Sequence, residues 1–248
     1  GTNVINLTNV AAATPDLVDQ TGIAKVVIVD GAAGADMTLS IAYTAANTSD
    51  MTIDASALDA GEDFTLDLSD AEVDGDYTII TGDGVDDITV GDGVNTIQVE
   101  FGGQGADIIR SFVTTNDVID FTGTSDVDGT GITDGTFTAS ALAVGSGATA
   151  ASTGLHFVTD AGGNDAASLA AADVATFLGD VDGAAGSSFA FANADNVIYL
   201  AVTDGTDTGI YLADDANGDT VVDAADLTLL ITLAGVTTIA AADFADFG

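Results

Sequence analysis

The stretch Gly82-Asp-Gly-Val-Asp-Asp-Ile-Thr-Val90 runs without a gap into Gly91-Asp-Gly-Val-Asn-Thr-Ile-Gln-Val99. Gly, Asp, Gly, Val, Ile and Val recur in the same phase, so the repeat is nine residues long. After a short insertion, Gly102-Gly103-Gln-Gly105-Ala-Asp107-Ile-Ile109-Arg110 fills every specified position of the nonapeptide G-G-x-G-x-D-x-U-x, where U is a large aliphatic residue. A weaker copy stands at Gly31-Ala-Ala-Gly34-Ala-Asp36-Met37-Thr38. Nine residues suffice for a tight turn and a very short strand and leave no room for a helical crossover. Two such units make one coil of a parallel β-roll, with the U residues Ile88, Ile97 and Ile109 packed inside.

This reading assigns roles to the remaining repeat positions. Gly82, Gly84, Gly91, Gly93, Gly103 and Gly105 are expected to take turn conformations that a side chain forbids and to aim carbonyls inward. Asp86, Asn95 and Asp107, with Asp36 in the weaker copy, add side-chain oxygens to those carbonyls. A set of hard oxygen donors is what Ca²⁺ takes, at about six to eight per ion. Ca²⁺ is therefore the expected cofactor, and its binding would contribute folding free energy by offsetting repulsion between stacked carboxylates.

Composition narrows the rest. Of 248 residues, 40 are acidic and two, Lys25 and Arg110, are basic, giving a formal net charge of −38. Such a surface excludes nucleic acid, which needs Lys and Arg against its phosphates. It excludes anionic membrane surfaces for the same reason. No apolar run approaches the roughly 18 residues of a membrane span. With no Cys and one His, disulfides, Fe–S clusters, thiolate zinc sites and His-rich metal centres are ruled out. The 47% hydrophobic content and mean hydropathy of +0.39 argue against disorder despite the charge. Only three of the acids are Glu (Glu62, Glu72 and Glu100). Asp favours turns, where its short side chain bonds nearby backbone and stands ready to ligate a cation. The plainer use of so much Asp is a solvated acidic coat.

The expected fold is mainly β. Residues 1–122 form a parallel β-roll or β-helix-like calcium-binding domain. Residues 123–154, rich in Gly, Thr, Ser and Ala, form a connection or irregular strands, and 155–248 form a smaller α+β module. In that module Asp165 or Ser168 caps a helix that ends at Gly179. Asn196–Val202 and Gly209–Leu212 form a strand pair joined by a hairpin at Asp204-Gly205. The motif Asp215-Ala-Asn217-Gly-Asp219-Thr-Val221-Val-Asp223-Ala-Ala-Asp226 follows, with oxygen side chains at positions 1, 3, 5, 9 and 12 and the Val221 carbonyl at position 7. That is the spacing of an EF-hand loop. Thr220 replaces the usual Gly at position 6. A helix is expected from Ala224 to about Ala234, stopped by Gly235, with Asp223 as its N-cap. The loop resembles the dockerin variant, which has Asp at position 12 and a Leu-rich helix after it. Dockerins carry two such loops and this chain has one, so cohesin binding is not implied.

The nonapeptides, with the segment Ala106–Phe112 and Asp117-Val-Ile-Asp-Phe121 that closes them, resemble RTX β-rolls over about residues 76–122. Asp54-Ala-Ser-Ala-Leu58 and the 155–248 block are similar to segments of RTX surface proteins. The acidic, apolar end Ala240–Gly248 is similar to the ends of type I secreted proteins. The RTX resemblance implies a calcium-dependent protein exported by a Gram-negative bacterium.

Catalysis finds little support in the residues. His156 is the one base for a Ser-His-Asp site, and no G-x-S-x-G surrounds any serine. A polysaccharide lyase needs a Lys or Arg base, for which only Lys25 and Arg110 are available. The expected function is that of a secreted, extracellular structural subunit on a bacterial cell surface, not an enzyme. It would self-assemble in an S-layer, filament or matrix. Its partners would be further copies of itself, with cell-surface polysaccharide as a second candidate. The alternative is a fragment of an RTX adhesin or hydrolase.

Overall fold

The computed structural model describes residues 3–10, 17, 22–31, 34–41, 50–69, 75–100, 105–122, 140–144, 155–160, 165–179, 197–215 and 218–245. The protein is mainly β, with one short α-helix among the described residues. It divides into two compact units, residues 1–124 with 242–246 and residues 125–241.

The first unit contains ten strands among the described residues. They are β1 (Asn3–Thr8), β2 (Ile23–Val29), β3 (Met37–Ser40), β4 (Met51–Asp54), β5 (Phe64–Asp67), β6 (Tyr77–Ile80), β7 (Asp87–Thr89), β8 (Thr96–Glu100), β9 (Asp107–Arg110) and β10 (Val118–Thr122). From β2 onward, successive strands fall alternately in two sheets. One sheet has the order β1-β2-β4-β6-β8-β10, with every pair parallel. In the other, β3, β5, β7 and β9 pair in parallel in that order.

The registers stack like on like. Ile5, Val26, Ile53, Ile79, Ile97 and Ile119 form one aliphatic column. Leu39, Leu66, Ile88 and Ile109 form the other. The three U residues Ile88, Ile97 and Ile109 are all fully buried. The strands average only a few residues, and each flanking residue alternates to the opposite face, as a half-buried strand requires.

The turns stack as closely as the strands. Gly105 N donates to Gly84 O at 3.0 Å, and Ile108 N donates to Asp86 O at 2.8 Å. A Cβ on Gly84 would stand 2.2 Å from Glu62 O, and one on Gly105 would stand 2.7 Å from Gly84 O. The sequence reading gave these glycines to unusual turn conformations. Among the described glycines of the three main copies Gly93 has that need, at φ +132°, as does Gly34 of the weaker copy, at φ +75°, while Gly84 and Gly105 are required by backbone approaching backbone.

Residues 242–246 join this first unit although they end the segment read as a C-terminal module. Phe244 makes a parallel bridge to Ile119 and stacks on Phe121 with ring centroids 6.3 Å apart.

The second unit has β11 (Ser140–Val144), β12 (Leu155–Asp160), α1 (Ala171–Gly179), β13 (Val197–Thr203), β14 (Thr208–Asp214) and β15 (Leu227–Ala234). β11, β12 and β13 are parallel, and β13, β14 and β15 are antiparallel. Val174 and Leu178 of α1 pack in a core with Ile198, Leu200, Val202, Tyr211 and Leu227. The Ser168 hydroxyl accepts from Ala170 N at 3.2 Å and donates to Asp173 at 2.5 Å, steadying the start of the helix. The hairpin between β13 and β14 turns at Asp204-Gly205 as expected, with Gly205 at φ +85°.

The helix expected over Ala224–Ala234 is the strand β15. Leu227, Leu230 and Leu233 satisfy helical spacing, but Thr228, Ile231 and Thr232 are β-branched and suit a strand. Six register pairs with β14, from Ala213↔Leu227 to Thr208↔Leu233 with one irregularity between Ile210 and Tyr211, decide the matter. Asp223 is accordingly no helix cap; it accepts from Ala225 N at 2.7 Å in a turn before the strand.

Gly84→Ala is expected to cost about 1–3 kcal/mol through overpacking against Glu62. Gly61→Ala, where a Cβ meets open space, should cost far less. Urea denaturation of the two variants checks this.

Candidate functional site

The register places the repeat acids in specific columns. On one side, the inward position at the head of each strand runs Met37, Phe64, Asp86, Asp107. On the other, it runs Met51, Tyr77, Asn95, Asp117. Each column begins with bulky apolar side chains and ends with short polar ones, and all eight residues are buried. The late coils therefore bring carboxylates to positions that the early coils fill with Met, Phe and Tyr.

The inward polar side chains bind the backbone of their own and the neighbouring turns. Asp86 Oδ1 accepts from Phe64 N of the preceding coil at 2.8 Å, and its Oδ2 accepts from Gly82 N of its own turn at 2.9 Å. Asp107 Oδ1 accepts from Asp86 N at 3.0 Å. Asp117 Oδ1 accepts from Asn95 N at 2.9 Å, and its Oδ2 accepts from Val113 N at 2.7 Å. Asn95 Nδ2 donates to Gly91 O at 3.0 Å and to Asp117 Oδ1 at 2.8 Å. These bonds satisfy turn N–H groups that the parallel ladders leave over.

The charges are less well served. Among the described residues, Asp107 Oδ2 and Asn95 Oδ1 are buried with no hydrogen-bond partner. Burial pushes the Asp107 carboxyl up to about 8, and the neighbouring Asp86 and Asp63 charges push the same way. Burial likewise pushes Asp86 up to about 6, against the N–H bonds from Phe64 and Gly82 that favour its charged form. Burial raises Asp117 as well. The two basic side chains are engaged elsewhere. Arg110 makes a two-pronged pair with Asp87, at 2.7 and 3.0 Å, and Lys25 pairs with Asp54 at 2.7 Å.

Asp36 does not join the inward column. The pairing Met37↔Phe64 puts it one position out, with Asp63 next to it, and both are exposed. Asp36 Oδ1 accepts from Asp63 N at 3.1 Å, and Asp63 Oδ1 accepts from Val85 N at 2.9 Å. The mirror column outside the other sheet repeats the device, Asp50 accepting from Asp76 N at 3.4 Å and Asp76 from Val94 N at 2.9 Å. Asp63, Asp76 and Asp117 escaped the sequence reading. For Asp117 the closing segment after the repeats held the clue, since it stands immediately before a strand as Asp86 does.

The repeat carbonyls also differ from expectation. Gly84 O accepts from Gly105 N and Gly91 O from the Asn95 amide, so both serve the stack. Gly82 and Gly93 keep close company with neighbouring coils at Leu58 and Gly75. Gly103 lies outside the described residues.

The second candidate is the loop from Asp215 to Asp226, which joins β14 to β15 rather than two helices. Its base is closed by Asp214 N donating to Asp226 O at 2.9 Å. Asp215, fully buried, accepts from Asp219 N at 3.2 Å through Oδ1 and from Thr220 N at 3.0 Å through Oδ2. Asp219 Oδ1 accepts from Val221 N at 2.8 Å, and Asp226 Oδ2 accepts from Asp223 N at 2.9 Å. Gly218 and Thr220, positions 4 and 6, are both left-handed, at φ +71° and +65°. Thr220 thus adopts the backbone for which an EF-hand loop keeps Gly, at a cost that a Cβ imposes. Burial raises the Asp226 carboxyl, and the charges of Asp223, Asp215 and Asp219 add to it. Asn217 lies outside the described residues.

As a test of fit for Ca²⁺, these two places offer different things. The inward columns offer a buried carboxylate oxygen without a partner beside a second buried carboxylate. The loop offers the chemistry of its donor set. No group of three or more His, Cys, Asp or Glu side chains among the described residues is close enough to hold a metal as it stands. The half-exposed Asp223 and the exposed Asp219 have room to turn toward Asp215 and Asp226. Comparison with protein-family models, with curated proteins and with solved structures found no match to this chain.

Two outcomes are expected. In chelator-treated protein, Asp86 and Asp107 hold protons in the fold that they lose on unfolding. Their contribution is fully present below the unfolded carboxylate range, near 4, and is lost as pH rises through about 6 and about 8. Thermal melts should therefore fall from pH 5 to pH 8.5, and Asp107→Asn should flatten most of that fall. Thr220→Gly should stabilise the protein by about 1 kcal/mol, by relieving the left-handed Thr, as read from urea denaturation.

Proposed function

We propose that this protein is a secreted, calcium-dependent structural subunit that self-assembles on or outside a bacterial cell, as an S-layer, filament or matrix component, and has no catalytic role. The supporting observation is the pair Asp86 and Asp107. Two carboxylates stacked one coil apart in the interior, one with an oxygen lacking a partner, demand a counter-charge. Lys25 and Arg110 are paired to other Asp residues, so neither supplies it. The alternation of strands between two parallel sheets, with nonapeptides at the late coils, supports reading the first unit as a β-roll.

Asp86, Asp107, Asn95 and the Asp117 carboxylate are the residues of the roll that would hold Ca²⁺. In the second unit Asp215, Asn217, Asp219, the Val221 carbonyl, Asp223 and Asp226 would hold another. Bound there, the ion supplies positive charge that relieves carboxylate repulsion. The chain's own residues do the rest. Phe64, Gly82 and Asp86 present N–H groups that orient the carboxylates. The Ile columns exclude water around them. When these acids are charged and uncompensated, their mutual repulsion works against the late coils, which keeps the chain loose where calcium is scarce and compact where it is millimolar.

Assembly draws on exposed apolar residues at the turns. Val85, Val94 and Val113 are 47%, 50% and 46% exposed. No helix among the described residues is long and apolar enough to cross a membrane.

Removing calcium with a chelator should lower the β-sheet circular dichroism at pH 8 and dissolve assemblies seen by electron microscopy, and added Ca²⁺ should restore both. Assemblies and β-structure that survive complete calcium removal sink the reading.

A further inference from the structure

The outer edge of β10 ends the parallel sheet and carries a short visitor from far along the chain. Ala245 N donates to Ile119 O at 2.8 Å, and Thr115 N donates to Asp243 Oδ1 at 3.0 Å, across 128 residues of sequence. Phe244 bridges Ile119 in parallel and stacks on Phe121 with the rings 7° from coplanar. It extends the column that runs from Ile5 to Ile119 by one more layer. Asp243 and Phe244 are almost fully buried, at 1% and 7% exposure.

We propose that the β10 edge is a strand-acceptor site, and that its occupant, the Asp243–Ala245 segment, is exchangeable: supplied in cis within one chain and in trans by a second copy. The partner is named by the contacts themselves. The segment already fits this edge in register, with an aromatic stack, a main-chain bond and an acid that receives a turn N–H. Every one of those groups exists on any other copy of the chain. An uncovered edge of a parallel sheet presents unpaired N–H and C=O groups and invites another strand. Exchange of an identical element then links copies without creating any new kind of contact. This inference specifies the contact for the self-assembly proposed above and rests on that reading for its biological setting.

Two experiments on the full chain test it. A fluorescent peptide of residues 240–248 is titrated into the chain carrying Asp243→Ala and Phe244→Ala, which weaken the resident segment. Saturable binding is expected, with a peptide carrying Phe244→Ala bound at least tenfold more weakly. A variant that keeps its circular dichroism and takes up no peptide overturns the acceptor site. One that loses its β-structure overturns it too, since the segment would then be needed for folding and would not be exchangeable. This readout needs neither calcium nor assembly, so its failure is distinct from failure of the function proposed above. The second experiment uses the absence of Cys from the chain. Chains with only Thr115→Cys are mixed with chains having only Asp243→Cys, and the assembled fraction is oxidised. An interchain disulfide is expected. Its absence, while a single chain bearing both substitutions closes an intrachain bond, removes the second copy as donor.

Discussion

Two buried carboxylates, Asp86 and Asp107, lie one coil apart where the preceding coils place Phe64 and Met37, and the first unit is organised around making that tolerable. The turn N–H groups are spent on them, from Phe64, Gly82 and Asp86. The backbones come so close at Gly84 and Gly105 that no side chain fits between. This closeness is what lets a carboxylate on one coil reach the amide of another. What hydrogen bonds leave undone is the charge itself, and burial expresses that remainder as carboxyls that hold their protons far above the ordinary range. A proton and a hard cation would compete for the same oxygens, so the raised carboxyls and the proposed calcium dependence answer one electrostatic demand.

The repeats were largely readable before any coordinates. The nine-residue phase placed Ile88, Ile97 and Ile109 inside, and Asp86, Asn95 and Asp107 at the head of their strands. Phase alone failed at Asp36. Its local pattern of Gly, Gly and Asp matches the others, but Met37 pairs with Phe64, and a slip of one residue turns every side chain to the opposite face. Leu227–Ala234 failed for a related reason. Its leucines obey the helical period and its β-branched residues the strand period, and pairing with β14, which no local signal encodes, settles between them. The return of Phe244 to Ile119 was invisible because nothing near residue 244 refers to residue 119. The loop from Asp215 to Asp226 illustrates the reverse case. Its spacing was plain in the sequence, and the left-handed Thr220 shows a backbone held to that spacing even where the residue resists it.

Both candidate sites rely on the same economy. Asp215 gathers the N–H groups of Asp219 and Thr220 just as Asp86 gathers those of Phe64 and Gly82. A short acid fixes a turn by binding its amides, and the shape so fixed crowds further acids around it. Asp holds most of these places, and the buried Glu62 does the same with a longer reach, accepting from Asp59 N at 3.3 Å and from Gly34 N at 3.0 Å. The outward columns of Asp36, Asp63, Asp50 and Asp76 extend the practice to solvent, where the charge needs no partner.

The change from Met37 and Phe64 to Asp86 and Asp107, and from Met51 and Tyr77 to Asn95 and Asp117, gives the stack a direction. In a linear array each layer is stabilised chiefly by its neighbours, so unequal layers do not melt together. The coils around β3 to β6 stand on apolar burial, whereas those around β7 to β10 depend on ionic conditions. The late coils are therefore expected to loosen before the early ones as pH rises. The first unit thus joins coils that rest on apolar burial to coils whose interior acids leave them sensitive to their surroundings.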